Sequence, residues 1–194
     1  MYCVLTTIVA FDDNAYKKEQ YFSYYPIHND SIKEYGNLID SNVSFDDCFD
    51  WIKKHTSLAD NKTESPVIFS SLSYVFNREL HEILIYSIIG LESIYAPNDK
   101  GISYTLQKNI NIVFPVVKKD MIKNLYRMRS KFIHGEISVG SFQLVDETIQ
   151  STHDYNEPCK LAIALLIATV RKLIENDATS IKFKETISFE YETN

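Results

Sequence analysis

The run Leu161-Ala162-Ile163-Ala164-Leu165-Leu166-Ile167-Ala168-Thr169-Val170 decides the fold of this 194-residue chain. A helix made of these residues is apolar on every side, whereas a helix on a protein surface keeps a polar face. The run is about half the ~20 residues that a helix needs to cross a bilayer. It therefore predicts a helix buried at the centre of a bundle, from Asn156-Glu157-Pro158 to about Asn176, and no membrane segment.

Apolar residues recur every three or four positions in the segments that precede this helix, which is the period of a helix with one buried face. The predicted ranges are residues 44–58, 67–95 with an interruption allowed, 102–114, and 115–134 with Pro115 beginning or kinking the helix. Ser44 with Asp46 and Asp47 is typical of a capped first turn. Gly135 is well placed after the end of the fourth helix, where a left-handed conformation is needed.

The two ends of the chain favour strands. Residues 2–11 and 20–27 are rich in β-branched and aromatic side chains, and the apolar residues from Ile181 to Tyr191 alternate with polar ones. Residues 28–42 and 136–155 have a loop-like composition, the latter with a short strand or turn.

These patterns predict a mainly α fold, a helical bundle with a small antiparallel β-sheet made by the N-terminal and C-terminal segments. The expected organisation is a β-rich N-terminal extension, residues 1–43, packed on a helical domain of residues 44–194 that carries the C-terminal strand.

Charge and cysteine content restrict the function classes. The net charge of −6 repels a polyanion at long range, so any contact with nucleic acid must be local. Cys3, Cys48 and Cys159 lie far apart, which suggests neither a disulfide framework nor a zinc site and fits a reducing cytoplasm. The N-terminus lacks the basic start of a secretory signal. The sequence has neither a glycine-rich phosphate loop nor a Gly-x-Ser-x-Gly elbow, which disfavours nucleotide hydrolases and α/β hydrolases.

Several chemically capable side chains crowd into the stretch from Tyr126 to Gly135. They are Arg127, Arg129, Ser130, Lys131 and His134. Arginine binds phosphate through a planar fork of donors, and histidine can move a proton near neutral pH. On an ideal helix Ser130 neighbours His134, Arg127 shares the face of His134 to within about 20°, and Arg129 lies about 140° away.

A stripe of cations passes through the same stretch, because Lys119, Lys123, Arg127 and Lys131 follow one another every four residues. This is the local basic patch that an acidic protein would need to bind RNA. The alternative is an ordinary solvated helix face with a terminal histidine favoured by the helix dipole.

The stretch Tyr126-Arg127-Met128-Arg129-Ser130-Lys131-Phe132-Ile133-His134-Gly135 resembles the signature of the HEPN superfamily, in particular its Apea-like branch. Upstream, Ile88-Ile89-Gly90-Leu91-Glu92-Ser93-Ile94 resembles a helix of the same branch, and the order of helices agrees. The resemblance covers about residues 67–178, and neither the first 43 residues nor the terminal strand.

This resemblance implies an all-helical bundle that dimerises so that two Arg/His pairs face each other across a cleft. In active members it also implies RNA cleavage without a metal or other cofactor. Arg129 and His134 match the motif, Ser130 takes the polar position after the arginine, and Glu92 matches the upstream acidic position. Many active members have Asn, Asp or His where this chain has Ser130.

Cleaving RNA without a metal needs a base, an acid and a cation at the phosphate. Because one histidine cannot lie on both sides of a phosphate, we expect a homodimer with His134 as acid and base. Arg129 is the expected phosphate stabiliser, with Arg127 a rival. Glu92 is either a buried partner that orients an arginine or a surface carboxylate, and Lys119, Lys123 and Lys131 would bind RNA.

The expected function is an endoribonuclease of the HEPN type that acts as a toxin or host-defence effector, with an antitoxin or regulatory protein as a further partner. A second hypothesis is a non-catalytic HEPN-like module that dimerises or binds RNA or protein. A third is a purely structural helical domain.

Overall fold

The apolar run at residues 161–170 forms the middle of the longest helix in the computed structural model, which describes residues 34–38, 43–55, 80–97, 101–136 and 150–184. The described part of the chain is mainly helical. Its helices are α1 (residues 34–38), α2 (Phe45–Lys54), α3 (Leu80–Tyr95), α4 (Ile102–Val113), α5 (Lys119–Ile133) and α6 (Gln150–Glu175).

Helix α6 is the centre of this bundle, as its sequence predicts. All residues from Leu161 to Val170 are buried, and α6 packs most extensively on α3 and also contacts α5 and α2. The hydroxyl of Thr169 donates to the Leu165 carbonyl at 2.6 Å and also bonds to the Tyr95 hydroxyl at 3.0 Å. Because each fully buried Leu or Ile side chain stabilises a fold by about 1.5–3 kcal/mol, this helix is a main source of stability.

Helix α2 begins where Ser44 predicts. The Asp47 N–H donates to the Ser44 Oγ at 3.1 Å, and the Ser44 N–H donates to the Asp47 carboxylate at 2.8 Å, which completes a capping box. The helix ends at Lys54, so its predicted end at residue 58 is wrong. His55 takes a non-helical conformation there as the C-cap.

The turn between α4 and α5 corrects the prediction for Pro115. Pro115 lies in the turn, and α5 begins at Lys119. The turn is fixed because Phe114 and Val117 are buried in the core, the Val117 N–H donates to the Phe114 carbonyl at 3.0 Å, and Asn111 donates to the Val117 carbonyl at 2.9 Å. Proline thus marks a chain reversal before the helix and not its first turn.

Helix α6 begins at Gln150, so the predicted start near residue 156 is wrong and Pro158 lies inside the helix. Pro158 is buried, and its missing N–H removes one helical hydrogen bond without ending the helix. The break predicted after residue 95 is confirmed, since α3 ends at Tyr95 and α4 begins at Ile102. Residues 59–65 and 67–79, predicted as a loop and as the first part of a long helix, lie outside the described residues.

Part of the segment predicted as an irregular loop is helical, because residues 34–38 form α1. Leu38 at the end of α1 and Val43 beyond it are buried in the same core as the bundle, so both residues pack on the helical domain. Both residues lie on the N-terminal side of the predicted boundary at residue 43, and that boundary stays a prediction.

The small β-sheet also stays a prediction. Residues 1–33, 137–149 and 185–194 lie outside the described residues, and residues 181–184, the described start of the predicted terminal strand, are irregular. Phe183 in this segment packs on Tyr95 with ring centroids 5.9 Å apart. None of the described helices has the length and hydropathy needed to cross a membrane.

Candidate functional site

Helix α5 has one face in the core and one in solvent. Ile122, Leu125, Met128 and Phe132 are buried against the bundle. Lys119, Lys123 and Arg127 are exposed and Lys131 is half-buried, and we call these four residues the basic face of α5. The structure therefore presents the predicted cation stripe to solvent.

His134 lies at the C-terminal end of this face and is exposed. It is the C-cap of α5, and its N–H donates to the Ser130 carbonyl at 3.0 Å. Because seven residues separate it from Arg127, the two side chains leave the helix within about 20° of each other. The structure thus places an imidazole and a guanidinium on the same solvent-facing side of the helix.

The end of α5 has the hydrogen bonds of a Schellman motif. The Gly135 N–H donates to the Phe132 carbonyl at 3.1 Å, and the Glu136 N–H donates to the Lys131 carbonyl at 2.9 Å. Gly135 has a φ of +70°, a conformation that costs glycine little. This motif fixes the backbone at His134, and the negative end of the helix dipole lies beside it.

Arg127 has a neighbour that orients it. Its Nη2 donates to the Asn124 Oδ1 at 2.9 Å, one turn earlier on the same helix. Asn124 was not among the predicted site residues, although its spacing of three residues from Arg127 is a signal that could have found it.

Arg129 lies on a different side of α5 and contacts α3. Its Nη2 is 3.6 Å from the Glu92 Oε2, an ion pair longer than a hydrogen bond, and its guanidinium lies 5.6 Å from the centre of the Tyr126 ring. The side chains of Arg129 and Glu92 are 24% and 17% exposed. Glu92 is therefore a partly buried partner of an arginine and not a surface carboxylate.

Burial of this ion pair affects the pKa of its carboxyl group and leaves polar atoms without partners. Desolvation raises the pKa of Glu92 above its usual range, and the positive charge of Arg129 opposes this shift. The Glu92 Oε1 and the Arg129 Nε are both buried without a hydrogen-bond partner within the described part of the chain. The pair therefore holds Arg129 in place but leaves hydrogen-bonding capacity unused.

Within the described residues of this chain, the contacts do not join Arg129 to His134. This agrees with the ideal-helix geometry, which separates them by about 140°. Ser130 is half-buried and contributes its carbonyl to the His134 N–H. The structure thus brings Arg127 and His134 onto one face and places Arg129 with Glu92.

A separate pocket of about 370 Å³ lies between α2 and the end of α6. Its lining residues are Val43, Asp47, Asp50, Trp51, Lys54, Ile174, Glu175 and Asp177. Asp47 belongs to the capping box, and Asp177 pairs with Lys54 and His55. Across the residues that the structure describes, no group of three or more His, Cys, Asp or Glu side chains is arranged to hold a metal ion.

Comparisons with protein-family models, with curated proteins and with solved structures found no match to this chain. The fold and the site define a helical bundle that presents a basic helix face ending in a histidine.

Proposed function

We propose that this protein is a metal-independent endoribonuclease of the HEPN type, which acts in the cytoplasm as a homodimer and cleaves RNA at a site made by two copies of α5. The observation that supports the proposal best is the position of His134, which is exposed at the end of the basic face and whose backbone is fixed by the cap at Gly135. A cationic surface next to a proton-transfer group is what an RNA backbone substrate requires.

The proposed reaction is an internal transfer within the RNA. One His134 removes the proton from a ribose 2′-hydroxyl, whose oxygen attacks the adjacent phosphorus. The bond to the 5′-oxygen then breaks, and the His134 of the second copy gives that oxygen a proton. The products are a 2′,3′-cyclic phosphate and a 5′-hydroxyl.

The remaining residues have roles that follow from charge and from the resemblance. Arg129 stabilises the negative charge that builds up on the phosphate oxygens, and Glu92 orients it. Lys119, Lys123 and Lys131 attract the RNA backbone to the face that His134 shares. Ser130, in the polar position of the motif, lies one turn before the histidine.

The first prediction concerns the imidazole itself. Purified protein incubated with RNA in EDTA should yield fragments ending in 2′,3′-cyclic phosphate, and His134→Ala should reduce the cleavage rate at least 100-fold because general acid and base catalysis is typically worth a factor of about 10² to 10⁴. His55→Ala, at the C-cap of α2, is the matched control and should cleave at the wild-type rate. Equal cleavage by wild-type protein and His134→Ala would exclude His134 from the mechanism.

A second candidate function is a non-catalytic HEPN-like module that binds RNA or a partner protein. The engagement of Arg129 with Glu92 favours it, because a paired guanidinium is less available to a substrate. Ser130, where many active HEPN members carry Asn, Asp or His, favours it too. This function requires RNA or partner binding to survive in His134→Ala, so loss of binding by a correctly folded variant would contradict it.

The biological setting that we propose for the nuclease is a toxin or host-defence effector. An enzyme that cuts cellular RNA must be restrained until needed, so an antitoxin or regulatory protein is the expected additional partner. Co-purification of the native protein from its source would identify that partner, and growth arrest on expression of wild-type protein but not of His134→Ala would support the setting.

A further inference from the structure

Two arginines on α5, only two positions apart, have different surroundings. Arg127 is exposed and is held by Asn124 on its own helix. Arg129 is 24% exposed and is held by Glu92 on a neighbouring helix. An advance of two residues rotates a helix by about 200°, so the two side chains leave α5 in nearly opposite directions.

The position of His134 decides which arginine can reach the same ligand from the same protomer. His134 is exposed and shares the direction of Arg127 to within about 20°. A phosphate that contacts this imidazole from solvent therefore approaches the Arg127 side of the helix. On that side Lys123, one turn before Arg127, and Asp120, seven residues before it, are also exposed. The two cations outnumber this carboxylate, so the local charge there is positive.

The hydrogen bond with Asn124 prepares Arg127 for such a ligand. A guanidinium has five N–H donors. The bond to Asn124 uses one of them at 2.9 Å and restricts the rotation of a long side chain. Restricting a side chain before binding lowers the entropy that binding must overcome.

We propose that Arg127, positioned by Asn124, is the residue that contacts the RNA phosphate backbone beside His134 and governs binding, whereas Arg129, held by Glu92, acts mainly in the cleavage step. This inference rests on the proposed function for the identity of the ligand. It deepens that function by dividing the two arginines between substrate binding and the reaction.

Binding to RNA that cannot be cleaved tests the assignment separately from catalysis. The probe is a fluorescent single-stranded 2′-O-methyl RNA, which lacks the nucleophilic hydroxyl, and anisotropy is measured over a series of salt concentrations. We expect Arg127→Gln to weaken binding about 10-fold and to reduce the slope of log K against log salt by about 0.7, the value for one phosphate contact on a single strand. Arg129→Gln should change the slope less, and Lys53→Gln on α2 is the charge-matched control away from the basic face.

Two further variants distinguish a positioned guanidinium from a simple positive charge. Arg127→Lys should keep the wild-type salt slope but lose affinity, because an ammonium cannot form the forked contact. Asn124→Ala should weaken binding in the same direction as Arg127→Gln and by a smaller factor. In the cleavage reaction, Arg127→Gln should act mainly on KM, and Arg129→Gln mainly on kcat.

The outcomes separate the two proposals. If the wild-type protein binds the probe through Arg127 but cleaves no RNA, the proposed nuclease function fails and the role of Arg127 stands. If Arg129→Gln lowers the salt slope as much as Arg127→Gln or more, the division of roles is wrong. Absence of salt-dependent binding by the wild-type protein would overturn the assignment of Arg127 altogether.

Discussion

Arg129 and Glu92 form a contact between residues 37 positions apart that brings opposite charges together at the edge of the core. Removing two charges from water is costly, and a distance of 3.6 Å recovers only part of that cost. The buried Glu92 Oε1 and Arg129 Nε, which have no hydrogen-bond partner in the described residues, add to it. Each of the two charges is therefore compensated mainly by the other.

We therefore predict strong coupling between substitutions at these two positions. Glu92→Gln and Arg129→Gln should each lower the free energy of unfolding by about 1–3 kcal/mol, since each leaves a partly buried charge without its partner. The double variant should lose less than the sum, with a coupling energy of about 0.5–3 kcal/mol measured by urea denaturation. Arg127→Gln, an exposed control, should change the free energy by less than about 0.5 kcal/mol. Additive effects would show that the two side chains do not stabilise each other.

The sequence predicted the directions in which the site residues leave α5 better than it predicted the contacts that they make. The helical repeat alone separates Arg129 from His134 and joins Arg127 to it, because both relations are internal to one helix. The partner of Arg129 is on α3, and only the packing of α3 against α5 decides that Glu92 reaches it. Asn124 was not predicted because an asparagine three residues before an arginine is a weak signal by itself.

At the scale of elements, α5 and α6 end in the same way. Gly135 follows α5 with a φ of +70°, and Asp177 follows α6 with a φ of +48°. An aspartate adopts this conformation less readily than glycine. Its carboxylate pairs with Lys54 and lies 3.2 Å from the His55 Nε2, so the end of α6 is joined to the end of α2.

These contacts predict a pH-dependent contribution to stability. Hydrogen bonds from Lys54 and then His55 lower the pKa of Asp177 below its usual range. A carboxylate with a lowered pKa stabilises the fold above its ordinary pKa, and this contribution is lost as the pH falls through the lowered value. Asp177→Asn, which also tolerates a positive φ, should therefore lower the melting temperature modestly at neutral pH and have little effect in strong acid.

Thermal unfolding followed by circular dichroism at several pH values measures this effect. Asp50→Asn is the control, because it neutralises an exposed carboxylate on α2 that has no ion pair in the described structure. A difference between wild-type protein and Asp177→Asn that is the same at every pH would contradict the ion-pair explanation.

The helix ends that the sequence predicted correctly are set by contacts within a single turn. Ser44 and Asp47 fix the start of α2 through bonds within one turn, and Gly135 fixes the end of α5 in the same way. The helix starts predicted from Pro115 and Pro158 were wrong because proline is compatible with a turn, a first helical turn or a buried interior position. Only packing against the rest of the bundle selects among these.

For the whole molecule, the distribution of charge determines how a polyanion can approach. The chain carries a net charge of −6, yet Lys119, Lys123 and Arg127 are exposed together on α5. Long-range repulsion and local attraction would thus combine to direct a polyanion, such as the RNA that we propose, to one helix face. Because that face offers one His134 per chain, the proposed reaction needs a second copy.

Mixing experiments test this stoichiometry. Wild-type protein and His134→Ala mixed in equal amounts and allowed to exchange subunits should retain about one quarter of the activity of the same total amount of wild-type protein, because about a quarter of the dimers have two histidines. Retention of about one half would show that each protomer acts alone. His55→Ala mixed in the same way should leave the activity unchanged, and light scattering should give the mass of two chains.

Trp51 allows one part of this protein to be followed by intrinsic fluorescence. It is the single tryptophan of the sequence, its indole N–H donates to the Ala178 carbonyl at 3.0 Å, and its ring lies 5.4 Å from that of His55. Intrinsic emission therefore reports on the junction of α2 with the end of α6. The chain thus contains an optical reporter in an element that carries none of the residues proposed to bind RNA.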